Sequence, residues 1–286
     1  MFIGQVLKFL GVDTGKVTKN IQKWSIYHAS AEQRFLPLME SLRKIRPDLS
    51  EQYSSGKELH NEYKELKMRA MHAFQCVMML KAIEYLSGEK LTVVDIGDSA
   101  GTHMLYLKHL AAKDIDTISV NLDTRAVEKI KSGGQNAILC RAEELDVAGW
   151  HIDLFTSFEM IEHLHNPALF FKRLAVKSSC NRMLITVPFV KKSRVGLGYI
   201  RNDFREKTHA EDVHLFELSP EDWTLLFLHS GWRVLNSGIY YQYPRSTPVI
   251  SGLLSWFWAK VDFEGFWAAI LEKDTTYLDM YQDWDE

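Results

Sequence analysis

The chain has 286 residues, 46% hydrophobic and 25% charged, which are the proportions of a folded globular protein rather than a disordered or fibrous one. Its formal net charge of −3 argues against a nucleic-acid binder that works through a global basic field. No run of about 18 apolar residues reads as a membrane span, and the start Met1-Phe2-Ile3-Gly4 lacks the basic stretch and cleavage site of a secretory leader.

Residues 1 to 85 read as a helical lobe or cap. Leu36, Met39, Leu42 and Ile45 recur at helical spacing, and Pro47 ends that helix. Lys57 to Leu86 predicts one long helix with an apolar stripe of Leu66, Ala70, Phe74, Val77, Leu80 and Ile83, and with no chemical motif of its own. From residue 91 the rhythm changes. Strands are predicted at Leu91–Asp95, Thr117–Leu122, Ala137–Arg141, Ile152–Ser157 and Arg182–Val187, with helices at His103–Lys113, Thr124–Ser132 and Pro167–Leu174 between them. Ser219-Pro-Glu-Asp opens a further helix, because serine caps, proline sits first and acids fill the first turn. Arg233–Leu235 and Ile239–Tyr243 are late strands. The alternation predicts an α/β fold with a doubly wound, Rossmann-like, mostly parallel sheet over residues 86 to 245, its ligand at the carboxyl ends of the strands.

Residues 246 to 286 read as an aromatic-rich C-terminal extension. Trp256, Phe257, Trp258, Phe263, Phe266 and Trp267 are expected to pack as a cap or dimer surface; the alternative is peripheral contact with a membrane or an apolar substrate. Cys76, Cys140 and Cys180 are far apart, show no metal spacing and lie in or beside apolar runs, so buried thiols in a reducing cytoplasm are expected.

Two segments carry the chemistry. In Val93-Val-Asp-Ile-Gly-Asp-Ser-Ala-Gly-Thr-His103 a β-branched run ends in Asp95, turns through Gly97 and Gly101, and opens a helix. The dinucleotide pattern G-x-G-x-x-G is absent. Instead the segment resembles motif I of the class I S-adenosylmethionine methyltransferases, D/E-x-G-x-G-x-G, with Ser99 at the middle glycine. The second segment, Ile152-Asp-Leu-Phe-Thr-Ser-Phe-Glu-Met-Ile-Glu-His-Leu-His-Asn-Pro167, resembles motif IV of the same class. There the ubiquinone-biosynthesis and other small-molecule O-methyltransferases carry E-V-x-E-H-L-x-x-P. Two motifs in order, about 60 residues apart, are more specific than either alone. His214 to Trp232 resembles the family's late segment.

The resemblance implies seven strands and S-adenosylmethionine as cofactor, held by Asp95, Gly97, Asp98, Ser99, Gly101 and Ser157. It also puts Asn121 or Asp123 at the ribose and Ala142 with Glu143 near the adenine. His163, His214 and Glu159 are the candidate catalytic residues. A divalent metal is a candidate cofactor on Glu159, Glu162, His163 and His214, because small-RNA 2′-O-methyltransferases use a similar Glu-x-x-Glu-His with a later His. His103, His165 and His209 are expected at the surface or at the substrate rim. The basic residues between Lys191 and Lys207 suggest an anionic small-molecule acceptor. O-methylation of a sugar, nucleotide-sugar or lipid-linked precursor is the first reading. The alternatives are metal-dependent RNA 2′-O-methylation and a non-catalytic scaffold on the same fold.

Overall fold

A computed structural model describes residues 13–49, 62–209 and 212–281. Among the described residues, seven strands form one sheet in the order β3-β2-β1-β4-β5-β9-β8. They are β1 (Lys90–Ile96), β2 (Asp114–Asn121), β3 (Asn136–Leu139), β4 (Leu154–Phe158), β5 (Arg182–Pro188), β8 (Trp232–Tyr241) and β9 (Gly265–Lys273), while β6 (Arg194–Val195) and β7 (Phe216–Glu217) pair in a separate small sheet. The first five are parallel, and β9 runs antiparallel between β5 and β8. This is the Rossmann-like α/β sheet that the alternating pattern predicts.

The central strands are apolar on both faces, as buried parallel strands must be. Val93, Leu154 and Leu184 face one core, and Val94, Phe155 and Ile185 face the other. The first core is closed by α1 (Thr14–Glu32), α2 (Leu36–Ile45), α3 (Glu62–Glu84) and α4 (Thr102–Leu110). The second is closed by α6 (Pro167–Lys177) and, after the short α7 (Gly198–Arg201), by α8 (Pro220–His229), with Trp223, Phe227, Trp232 and Trp267 at its centre. The helix α5 (Thr124–Ser132) packs beside β2 and β3.

Several expectations change. The long helix is described from Glu62, so its predicted first turn lies outside the described residues, and a single apolar stripe does not fit it. Met68, Arg69, Ala70, Met71, His72, Ala73, Phe74, Gln75 and Cys76 are all buried, whereas Val77 is exposed. The helix is enclosed on most sides because the sheet lies beneath it and α1 and α2 lie over it. The predicted boundary at residue 85 therefore cuts through a shared core.

The other expected boundary falls at residue 245. The segment beyond it supplies α9 (Pro248–Val261) and then β9, an inner strand of the sheet. Aromatic and small residues hid this strand from a reading based on aliphatic runs. The two late strands are one strand, β8, whose register slips between Val234 and Asn236. Among the cysteines, Cys76 and Cys180 are buried, but Cys140 is only half-buried and lines the cavity described next.

Candidate active site

The carboxyl ends of β1, β2 and β4 open onto one cavity of about 760 Å3. At its first edge β1 turns at Gly97, whose φ is +98° and whose N–H donates to the Val120 carbonyl at 2.8 Å. A Cβ here would lie 2.5 Å from Met160 Cγ, so glycine lets the loop after β4 close on this turn. Asp98 braces the turn. Its Oδ1 accepts from the N–H groups of Ala100 (3.1 Å) and Gly101 (2.8 Å), and its Oδ2 accepts the Ser119 hydroxyl (2.7 Å). Ser99 lines the cavity and is not among the residues with positive φ, so the loop has no steric need for a middle glycine.

Gly101 does not line the cavity. It has φ +70° ahead of α4, and its missing Cβ makes room for the Gln135 amide, 2.4 Å from where the carbon would be. Ser157 is buried beneath the cavity, and its hydroxyl donates to the Ile96 carbonyl at 3.0 Å, joining the tips of β4 and β1. Asn121 ties two loops together: its Nδ2 donates to the Asp98 carbonyl (2.9 Å), and its Oδ1 accepts from the Asp123 N–H (2.8 Å). Asp123 caps α5 by accepting from the Arg125 N–H at 2.8 Å. Both line the cavity beside Ala142 and Glu143, which lie on a short 3-10 turn.

Asp95 is buried and lines the cavity. Its Oδ1 accepts the Thr156 hydroxyl at 2.8 Å, while Oδ2 has no hydrogen-bond partner. Burial, with Asp98 adding to it, holds this carboxyl well above the usual carboxylate range. A partnerless buried carboxylate oxygen is an acceptor for a cationic or N–H-bearing ligand group.

The other end of the cavity is acidic, imidazole-rich and aromatic. Glu159 follows β4 with φ +51°, a conformation that L side chains rarely adopt and that costs about 1 kcal/mol. Burial pushes its carboxyl up to about 8, against a hydrogen bond from Thr186. Glu162 is buried with both carboxylate oxygens partnerless, and burial followed by the neighbouring Glu159 raises it well above its ordinary value. His163 Nδ1 meets the Val213 carbonyl at 2.9 Å, which makes Nδ1 the protonated nitrogen, and Nε2 lies 3.9 Å from Glu162 Oε1. His214 packs edge-on against His163 with ring centres 4.8 Å apart and stacks on Phe263. Its Nδ1 lies 3.4 Å from Glu217 Oε1. Burial raises Glu217, but hydrogen bonds from His214 and Arg194 outweigh this and lower its carboxyl overall.

Ligand atoms of Glu162, His163 and His214 lie within 4.8 Å of one another, a spacing that suits a metal ion. The predicted fourth ligand, Glu159, is not in this group; its carboxyl is turned toward Thr186.

Sequence reasoning missed the floor and far wall. Lys67, Met68, Met71, His72 and Gln75 of α3 line the cavity, as do Asp262, Phe263 and Phe266. His103 is buried rather than at the surface: its Nε2 meets Gln75 Oε1 at 2.8 Å, and its ring packs on Phe158 and His72. The available signal was His72 and Gln75 standing inside an apolar helix. His165 and His209 are exposed at the rim, as expected.

Four of the basic residues behind the anionic-acceptor expectation are engaged elsewhere. Lys191 bonds Glu264 and Ser255, Arg194 pairs with Glu217, Arg205 pairs with Asp203, and Arg201 donates to the carbonyls of Gly196 and Val195. None of these four lines the cavity, whose end near Glu162 holds one lysine, Lys67, paired with Asp262.

Residues 94–176 match a family model described as a methyltransferase domain. That stretch, which spans β1 to α6 of the Rossmann-like sheet, is thus similar to a methyltransferase domain. Several solved structures share the fold. One is a 1,6-didemethyltoxoflavin-N1-methyltransferase from Burkholderia thailandensis with bound 1,6-didemethyltoxoflavin and S-adenosylhomocysteine; it is 15% identical, with TM-score 0.51, covering 82% of this chain and 89% of that one. A cyclopropane synthase from Mycobacterium tuberculosis is 12% identical, with TM-score 0.52, covering 82% of this chain and 94% of that one. A phosphoethanolamine N-methyltransferase from Haemonchus contortus is 15% identical, with TM-score 0.50, covering 70% of this chain and 52% of that one. No curated protein matches the chain in sequence.

Proposed function

We propose that this protein transfers a methyl group from S-adenosylmethionine to an oxygen of a small-molecule acceptor. One observation carries the reading: the cavity that begins at the Gly97 turn ends at Glu162, His163 and His214. Asp95, the turn from Gly97 to Ser99, and the edge formed by Asn121, Asp123, Ala142 and Glu143 would hold the cofactor, and the partnerless Asp95 oxygen fits its ammonium group. When bound, S-adenosylmethionine supplies an electrophilic methyl on a good leaving group. The chain's own task is to place the acceptor in line and to take its proton.

His163 is held in the tautomer that can accept a proton at Nε2, and His214 is oriented by Glu217. The partnerless oxygens of Glu162 favour a second version, in which Glu162, His163 and His214 would hold a divalent ion, and that ion would supply Lewis acidity to the acceptor hydroxyl. Acidic and aromatic lining residues with one paired lysine suit a neutral acceptor better than an anionic one.

The test is a thermal melt with S-adenosylmethionine, paired with an assay of labelled methyl transfer to candidate hydroxyl acceptors. Cofactor at a hundredfold excess over Kd adds about 2.7 kcal/mol of stability. His214→Ala keeps that gain while lowering transfer about 10²- to 10⁴-fold. A melt that does not move with cofactor would leave the scaffold reading in possession. Loss of transfer with chelator, restored by Mg²⁺ or Mn²⁺, assigns the three ligands to a metal; indifference to chelator assigns the histidines to proton transfer.

A further inference from the structure

Exposed large apolar side chains gather on α1 and α9. The sequence of α9, Pro-Val-Ile-Ser-Gly-Leu-Leu-Ser-Trp-Phe-Trp-Ala-Lys-Val, is apolar around nearly its whole circumference, yet only Leu254 and Trp258 are buried. Val249, Leu253 and Trp256 are 75%, 66% and 65% exposed, and they recur at i, i+4 and i+7 on one stripe. Trp258 Nε1 donates to Ser25 Oγ at 3.0 Å, which fixes α9 against α1. On α1, Val17, Ile21 and Trp24 repeat the same spacing and are also exposed, with Tyr27 beside them. A shallow groove lined by Val17, Ile21, Trp24 and Leu254 joins the two helices. Such a run of exposed large apolar side chains marks a surface that meets something apolar.

We propose that this face docks the protein onto an anionic lipid bilayer. Charge selects that occupant. The chain is net negative, yet α1 carries Lys16 and Lys19, besides Lys23, which pairs with Glu62 of α3, and α9 carries Lys260, whose ammonium lies 5.5 Å from the Trp256 ring centre. The one acid on these helices, Glu32, accepts from the backbone N–H groups of Arg245 and Ser246. Exposed tryptophans and aliphatics flanked by lysines are what a bilayer interface with anionic headgroups binds. A second copy of the chain is a poorer occupant, because pairing this face with itself would bring its lysines together. Because α9 runs directly into Asp262 and Phe263 at the cavity wall, a docked protein would hold that wall close to the lipid surface.

The experiment is flotation of the full chain with vesicles of phosphatidylcholine alone or mixed equally with phosphatidylglycerol, at low and high salt. We expect binding to the anionic vesicles to exceed binding to the neutral ones about tenfold and to fall with salt. Leu253→Ser with Trp256→Ser should abolish binding, and Lys16→Glu with Lys19→Glu should remove its salt-sensitive part. Both pairs lie on the surface, and an unchanged melting temperature checks that they fold. Failure to float with anionic vesicles, or flotation that neither pair weakens, overturns the proposal. So does a dimer, seen by light scattering, that the Leu253 and Trp256 changes split into monomers. None of these readouts depends on methyl transfer, so docking and catalysis stand or fall separately.

Discussion

Gly97 and Gly101 serve one turn for different reasons, and substitutions separate them. Each has positive φ, so alanine costs about 1–2 kcal/mol at either position. At Gly97 the new carbon also strikes Met160 Cγ at 2.5 Å and Cβ at 2.9 Å, close to that residue's backbone, so the loop after β4 must retreat. At Gly101 it meets only the far end of Gln135, which can swing away. Gly97→Ala should therefore lose about 2–4 kcal/mol and weaken S-adenosylmethionine binding at least tenfold. Gly101→Ala should lose about 1–2 kcal/mol and keep its cofactor affinity within a few-fold. Urea melts with calorimetric titration check this, and equal losses of affinity would refute the division of roles. The residues of this turn were legible as a motif. The use of Asp98 as its brace was not, because which carboxylate meets which N–H depends on loop geometry that no spacing rule encodes.

The helix α3 shows why an element can be found and its purpose missed. Its residue types predict a helix correctly, but periodicity assumes one wet face, and this helix has little exposed surface. Its polar side chains are therefore connectors. Gln75 Oε1 meets His103 Nε2 at 2.8 Å, and Gln75 Nε2 donates to Thr186 Oγ1 at 2.9 Å. Thr186 in turn hydrogen-bonds Glu159. One amide thus links α3, α4 and β5 to the acid at the tip of β4. Gln75→Leu should destabilise the protein by about 2–4 kcal/mol, since two buried polar groups each lose a partner at about 1–3 kcal/mol. A shift in the urea midpoint equivalent to less than about 0.5 kcal/mol would show that this link is unimportant. The strand β9 was illegible for a related reason: Gly265-Phe-Trp-Ala-Ala-Ile carries burial on both faces in aromatic and small residues, which reads equally well as a cap.

At the scale of the whole molecule, the parallel half of the sheet could be read from strand–helix alternation, whereas the closing of the first core by chain ends some 200 residues apart could not. That closure encloses two imidazoles. Burial pushes His103 down to about 3 and, with His103 beside it, lowers His72 well below its ordinary value. Above about pH 6.5 both rings are neutral in the folded and unfolded chain, and they add no pH dependence. Below that value the unfolded chain takes up protons that the folded chain refuses, so stability is lost progressively as pH falls from about 6.5 toward 3. For one histidine the slope approaches about 1.4 kcal/mol per pH unit. His103→Asn removes one such uptake. Measured by urea unfolding at pH 7, 6, 5 and 4, the stability of His103→Asn relative to the native chain should rise steadily as the solution is acidified. The comparison isolates His103 from Asp95 and Asp98, whose raised carboxyls change stability in the opposite direction and are present in both proteins. A difference that stays constant from pH 7 to pH 4 would mean that the ring is protonated as readily in the folded core as in water, and that the cavity wall it forms is open to solvent.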